Sequence, residues 1–228
     1  MKVEMETDTV VLPGGEFLMG ENEEDKYAND TERPRHPVTV LPFEIGRNPV
    51  TIGEYREFRP AHEPDLPADW PVAGVSWVDA REYCLWRNDG SRLPTESEWE
   101  YAARGGTQYA FSHGTVLEIS DANFYYDEHG KRIGVGHRTP VGSYPPNGYG
   151  LYDMLGNVCE WVADEWQPMY FPEAGSSDSL VSMRPQRVLR GGAWDYLPRL
   201  LRVSWRDYLG ETVRRDNVGF RIARSITK

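Results

Sequence analysis

The stretch NGYGLYDMLGNVCEWVADEW, residues 147–166, restricts the fold more than any other part of the chain. It sets a carboxylate at Asp153, a flexible Gly156 and a second carboxylate at Glu160 along a tight turn rich in backbone carbonyls. Hard cations such as calcium take oxygen ligands of both kinds, side-chain carboxylate and backbone carbonyl. Two further words follow, RGGAW at 190–194 and DNVGFR at 216–221. With 22 glycines and 17 prolines in the whole chain, many turns are expected between short regular elements.

The chain's 228 residues suffice for one domain with one good core, which 39% hydrophobic and 12% aromatic residues can fill. No repeat or linker divides it, so residues 1–228 read as a single domain. No apolar run approaches the roughly 20 residues of a membrane helix. The start, MKVEMETDTV, has acids where a signal peptide needs an apolar stretch, so a cytoplasmic protein without membrane contact is expected. Two cysteines, Cys84 and Cys159, are too few for a disulfide scaffold and read as buried thiols.

A net charge of -11 disfavours nucleic acid as a partner. The charge is unevenly placed, because residues 184–228 carry eleven basic and four acidic side chains. Their arginines are expected to pair with acids and loop carbonyls inside an irregular domain, using the five-donor fork of the guanidinium.

Local signals place several elements. Thr51 with Glu54, Ser76 with Asp79 and Thr95 with Glu98 read as capping boxes that start three helices. In the second helix Trp77, Ala80, Tyr83 and Cys84 share one face, leaving Arg81 and Glu82 for water. The third runs from Pro94-Thr95 to a stop at Gly105-Gly106, with Trp99, Ala102 and Ala103 inward. Short strands are expected at 16–19, 36–40, 187–190 and 219–223.

These words, with VVLPGGEFLMG at 10–20, FEIGRNPVTIGEY at 43–55, PVAGVSWVDAREYCLW at 71–86, SRLPTESEWEYAARGG at 91–106 and VGFRIAR at 218–224, resemble the formylglycine-generating enzyme family, the sulfatase-modifying factors, over nearly the whole chain. The resemblance implies an irregular α+β domain of the C-type-lectin-like fold, whose two chain ends meet in one antiparallel sheet. It also implies structural calcium. One ion would take the Asp153 and Glu160 side chains and the carbonyls of Gly156 and Val158, and removing Glu160 would then cost stability in calcium but little in chelator. A second site would begin at Asn123-Phe124, with its aspartate replaced by Ile133 or displaced to Asp127.

The family's oxidase chemistry resembles a copper–thiolate reaction carried by two cysteines five residues apart, downstream of a Gly-Gly-Ser-aromatic segment. That segment is Gly191-Gly192-Ala193-Trp194 here, so the cysteine positions fall on Tyr196 and Leu201, neither of which is a soft ligand for copper. No copper is therefore expected. A histidine-based metal could use Asp127, His129 and His137 if they converge on one loop. In the ergothioneine-type relatives, however, the iron ligands come largely from a separate helical domain.

What remains is a binding surface. Trp194, Asp195, Tyr196, Leu197, Leu200, Trp205, Asp207 and Tyr208 lie where the family places its substrate groove, and aromatic anchors suit a contact surface. Tyr196, Leu197 and Tyr208 are expected outward; Trp194 and Trp205 could be core or surface. The expected function is a catalytically inactive domain that binds a protein or peptide, either as a sensor subunit or as a variable display protein of a diversity-generating retroelement. The alternatives are a non-heme iron or other metal-dependent oxidoreductase and a purely structural calcium-stabilised module.

Overall fold

The computed structural model describes residues 8–21, 25–170 and 185–226. Twelve regular elements run β1 (Thr9–Leu12), β2 (Gly15–Met19), β3 (His36–Val40), β4 (Phe43–Gly46), α1 (Ile52–Phe58), α2 (Trp77–Arg87), α3 (Glu96–Arg104), β5 (Cys159–Glu165), β6 (Gln186–Arg190), β7 (Asp207–Gly210), β8 (Val218–Phe220) and β9 (Ala223–Ser225), with short 3-10 turns at Asp30–Glu32 and Pro198–Leu200. Among the described residues no helix is long and apolar enough to cross a membrane.

All three capping boxes form, with Thr51, Ser76 and Thr95 each accepting from the third backbone N–H and receiving the reciprocal carboxylate. Gly105 ends α3 in the left-handed conformation, at the Gly-Gly stop read from the sequence. Ala80, Tyr83 and Cys84 of α2 are buried while Arg81 and Glu82 face water.

Three sheets organise the strands. β4 is flanked by β1 and β9 in antiparallel register, so the beginning and end of the described chain do meet in one sheet. β2 and β3 form a separate antiparallel pair. The third sheet has the order β7-β6-β5-β8, with β5 and β8 parallel. Its inner strands alternate between two cores, as period-two side chains must. Val162 and Val188 enter the core that holds Trp99, Ala102 and Phe43. Trp161 and Leu189 enter the one that holds Tyr55, Tyr83 and Phe220.

Two expectations need correction. The single strand read at 219–223 is two strands in different sheets, because the chain breaks at Arg221 to send its side chain to the interior. Glu160 lies not on the tight turn but on β5; the turn is completed before it, with positive φ at Asp153, Gly156 and Asn157. A third feature was not foreseen. α3 is buried at every position but Ser97, Glu96, Glu98, Glu100 and Arg104 included, because Arg206 and Arg190 from the end of the chain meet Glu96 and Glu100 and Arg92 meets Glu98.

Asp79 shows how these charges hold elements together. It caps α2 and accepts from Arg59 beyond α1 at 2.6 Å and from Arg214 at 2.7 Å. Burial pushes its carboxyl up, but hydrogen bonds from Arg214, Ser76 and Arg59 outweigh burial and hold it well below the usual carboxylate range. A depressed folded-state value contributes stability above the unfolded value, which is lost as pH falls through the folded one. Asp79→Asn is therefore expected to lose about 2 kcal/mol in urea unfolding at neutral pH. The gap to the parent should narrow progressively below about pH 4; a gap that stays constant into acid would contradict this assignment.

Candidate functional site

The segment after β6 turns sharply at Gly191-Gly192 and enters the 3-10 turn Pro198–Leu200. Leu201, at the second cysteine position, has no exposed surface and belongs to the Trp99 core. Tyr196, at the first, packs against both cores, with its ring edge-on to Trp205 at 5.5 Å. Its hydroxyl donates to Asp207 Oδ2 at 3.3 Å. Burial raises its pKa strongly, and the neighbouring Cys159 thiol and Asp207 carboxylate add to that. Tyr196 is thus half-buried with its ring turned inward, contrary to expectation, because it packs against both cores and its hydroxyl meets the half-buried Asp207. Both cysteines are free and buried, as expected. Burial pushes the Cys84 thiol up to about 12 and the Cys159 thiol well above its ordinary value, so neither is a ready thiolate.

The turn before β5 is held by amides and a guanidinium. Gly156 has φ +74°, and a Cβ there would meet the Asn123 carbonyl at 2.3 Å, so only glycine permits the approach. Asn157 Oδ1 accepts from Asn123 Nδ2 at 3.2 Å and from Thr139 N at 3.0 Å, while its Nδ2 donates to Thr139 O at 3.1 Å and to Asp153 Oδ1 at 3.2 Å. Asp153 Oδ2 accepts from Gly142 N at 2.8 Å, and burial pushes the carboxyl up to about 6. Glu160 is fully buried, and both its oxygens are taken. Arg221 donates to Oε2 at 2.7 Å and to Oε1 at 2.8 Å, and Trp99 Nε1 donates to Oε2 at 2.7 Å.

The 194–208 surface is partly dismantled by packing. Trp205 is core, 7% exposed, and Leu200 packs on the Tyr55 core. Asp195 accepts from Asn217 Nδ2 through both oxygens. Trp194, Leu197 and Asp207 are half-buried, and Tyr208 is exposed, its ring 4.6 Å from that of Trp166. The same segment also contributes Pro198, Arg199 and Arg202 to a cavity of about 870 Å³, whose other walls are residues 110–119, the 124–133 loop and residues near Tyr27. Sequence reading missed this groove. Its apolar lining comes from Phe111, Val116, Ile119 and Ile133, which carry no motif; the available signal was a cluster of aliphatic residues in a segment without helical or strand periodicity.

A profile of the sulfatase-modifying factor enzyme 1-like domain matches residues 1–226. The chain belongs to the sulfatase-modifying factor family. The inactive C-alpha-formylglycine-generating enzyme 2 of Mus musculus is 34% identical over 281 residues, covering 95% of this chain and 85% of that protein. The serine/threonine-protein kinase pkn1 of Chlamydia caviae is 34% identical over 253 residues; the match covers 96% of this chain but 38% of the kinase. Among solved structures, PvdO from Pseudomonas aeruginosa aligns with a TM-score of 0.79 at 30% identity, covering 96% of this chain and 94% of that one. Treponema denticola variable protein 1 shares the fold, with a TM-score of 0.74 at 24% identity and coverage of 95% and 94%. The α+β, C-type-lectin-like architecture inferred from the motifs is therefore the fold of this chain.

Membership of the sulfatase-modifying factor family sharpens the question of metals. Glu160 does not fit a calcium ligand, since each of its oxygens already faces a charge-assisted or indole donor and its charge is met by Arg221. At the second expected site Asn123 Oδ1 is buried without a hydrogen-bond partner and could serve as a ligand. Asp127, however, is half-buried on its own turn, accepting from His129 N and Lys131 N, and Ile133 supplies no side-chain oxygen. Phe124 packs its ring into the core. The histidines do not assemble either. His137 stacks on Trp70 at 5.5 Å with its Nδ1 on the Arg138 carbonyl, and no group of three His, Cys, Asp or Glu among the described residues is placed to hold a metal. Glu160→Ala, which strands a buried guanidinium, is accordingly expected to cost about 3–5 kcal/mol. In denaturant unfolding the loss should be the same in calcium and in chelator; a loss confined to calcium would restore Glu160 as a ligand.

Proposed function

We propose that this member of the family is a catalytically inactive domain that binds a protein or peptide. The carrying observation is the fate of the two cysteine positions. Tyr196 is locked between two cores by its ring and hydroxyl, and Leu201 is sealed in the interior. A copper site in this family needs two soft ligands there, and thiolate is the chemistry that suits Cu(I). Substitution at one position would leave a crippled site, whereas packing at both removes it. The mouse relative named inactive supports the reading as well. If the 194–208 surface is a variable display face, it is limited to Trp194, Leu197 and Tyr208, because the other positions are committed to packing or hydrogen bonds.

Two measurements test the proposal. Supplied with Cu(I), the protein is expected to consume no oxygen above background with cysteine-containing peptides; sustained, peptide-dependent uptake would end the inactive reading. Peptides selected from a displayed random library on the immobilised domain are expected to converge on a consensus. A pool that stays random after repeated rounds would remove the binding role.

A further inference from the structure

The geometry points to the groove beside the 3-10 turn as the docking site for an amphipathic, basic peptide segment of a partner protein, which deepens and rests on the binding reading above. Large apolar side chains on a surface are ordinary when scattered, but a contiguous patch with a charged rim marks a contact site. Here Tyr27, Val116, Ile119 and Ile133 are 42%, 64%, 41% and 42% exposed, and all line this one cavity over a floor that includes Phe111 and Phe124. At about 870 Å³ the groove lies at the upper end of the volume of single-ligand sites.

The rim decides the occupant's charge. Its accessible carboxylates are Asp25, Glu118, Asp127 and Glu128, set against Lys26, Arg199 and Arg202. Two of those cations are already consumed. Arg202 is buried and gives both terminal nitrogens to Glu32, at 2.6 and 2.8 Å. Arg199 pairs with Glu128 at 2.7 Å. Asp127 is held ionised by the backbone N–H groups of Lys131 and His129. The Arg199 pair removes Glu128 as well, which leaves Glu118, Asp127 and, beside Arg202, Asp25 against Lys26, a net acidic rim around an apolar floor. An occupant that buries aliphatic groups inward and presents ammonium or guanidinium groups to the rim satisfies both parts, while polyanions are repelled. A wholly apolar small molecule would leave the rim charges unused.

The probe is a fluorescein-labelled peptide of repeated Leu-Leu-Lys units, with two companions in which every Lys is replaced by Gln or by Glu, followed by anisotropy at low and at physiological salt. The Lys peptide is expected to bind saturably, the Gln peptide more weakly and the Glu peptide not at all. Glu118→Lys should weaken the Lys peptide about fivefold and reduce its salt dependence. Ile119→Ser should weaken it about tenfold through lost apolar contact. Both positions are exposed, so thermal melts of these variants should match the parent. Leu85→Ser, on the exposed face of α2 and outside the groove, should bind like the parent. Equal binding of Lys and Glu peptides, no binding of the Lys peptide, or indifference to both groove variants would overturn the proposal. Peptide-dependent oxygen uptake would instead sink the inactive reading, so the two failures are distinguishable.

Discussion

The buried pair of Arg221 and Glu160 is the constraint on which the rest of this fold hangs. Glu160 sits at the centre of the four-stranded sheet, and Arg221 reaches it from the break between β8 and β9. The same guanidinium donates to the carbonyls of Gly46 and Tyr152, both at 2.9 Å, while Trp99 of α3 donates to the same carboxylate. One charge pair thus joins β5, α3, the end of β4 and the glycine-rich turn. Taking two charges out of water costs several kcal/mol per ion by rough reckoning, and only good geometry with further hydrogen bonds offsets it. Here the fork is filled on both edges. A domain with short strands and long irregular segments has many carbonyls that no ladder satisfies, and arginine, with five donors and no acceptor, meets them.

The same device recurs along the basic end of the chain. Arg190 donates to the carbonyls of Val203, Ser204 and Trp205 and pairs with Glu100. Arg206 takes Glu96 with two nitrogens, and Arg202 takes Glu32. Burial pushes the Glu100 carboxyl up, but Arg104 and Arg190 outweigh it and keep it below the usual range. The uneven charge of the sequence is thereby explained as internal chemistry rather than as an anion-binding face. It also has an external effect: with these arginines withdrawn into the interior, what the surface shows is more acidic than the composition of the last segment suggests.

Legibility in the sequence followed the range of the interactions. Capping boxes and the αL stop of α3 depend on residues three or four apart, and all of them could be read directly. The pairing of arginines with acids was legible as a category, from the opposed charge of the two parts, but not partner by partner. Glu160 was read as a calcium ligand because its neighbours offer oxygens; its actual partner is 61 residues away, and no local pattern announces it. Tyr196 is expected outward because its segment lies where the family places its substrate groove, whereas its ring packs against both cores and its hydroxyl meets the half-buried Asp207. The groove was invisible for a related reason, since its walls come from three distant parts of the chain, near Tyr27, over 110–133 and over 198–202, none with a periodic pattern.

The packing of the two expected cysteine positions and the shape of the groove are linked through the 3-10 turn between those positions. Tyr196 anchors one end of that turn and Leu201 the other, both by packing. Between them Arg199 reaches across to Glu128, with its backbone N–H and its guanidinium each 2.7 Å from a carboxylate oxygen. That clamp fixes the 124–133 loop against the turn and so sets two walls of the cavity relative to each other. A reactive pair at these positions would have to keep its sulfurs accessible to a metal and a substrate, which forbids burying both ends of the turn. Once the ends are buried, the turn becomes a rigid support for Pro198 and Arg199. Preorganised walls lower the ordering cost of binding. The packing of Tyr196 and Leu201 therefore also stiffens the groove wall that the turn forms.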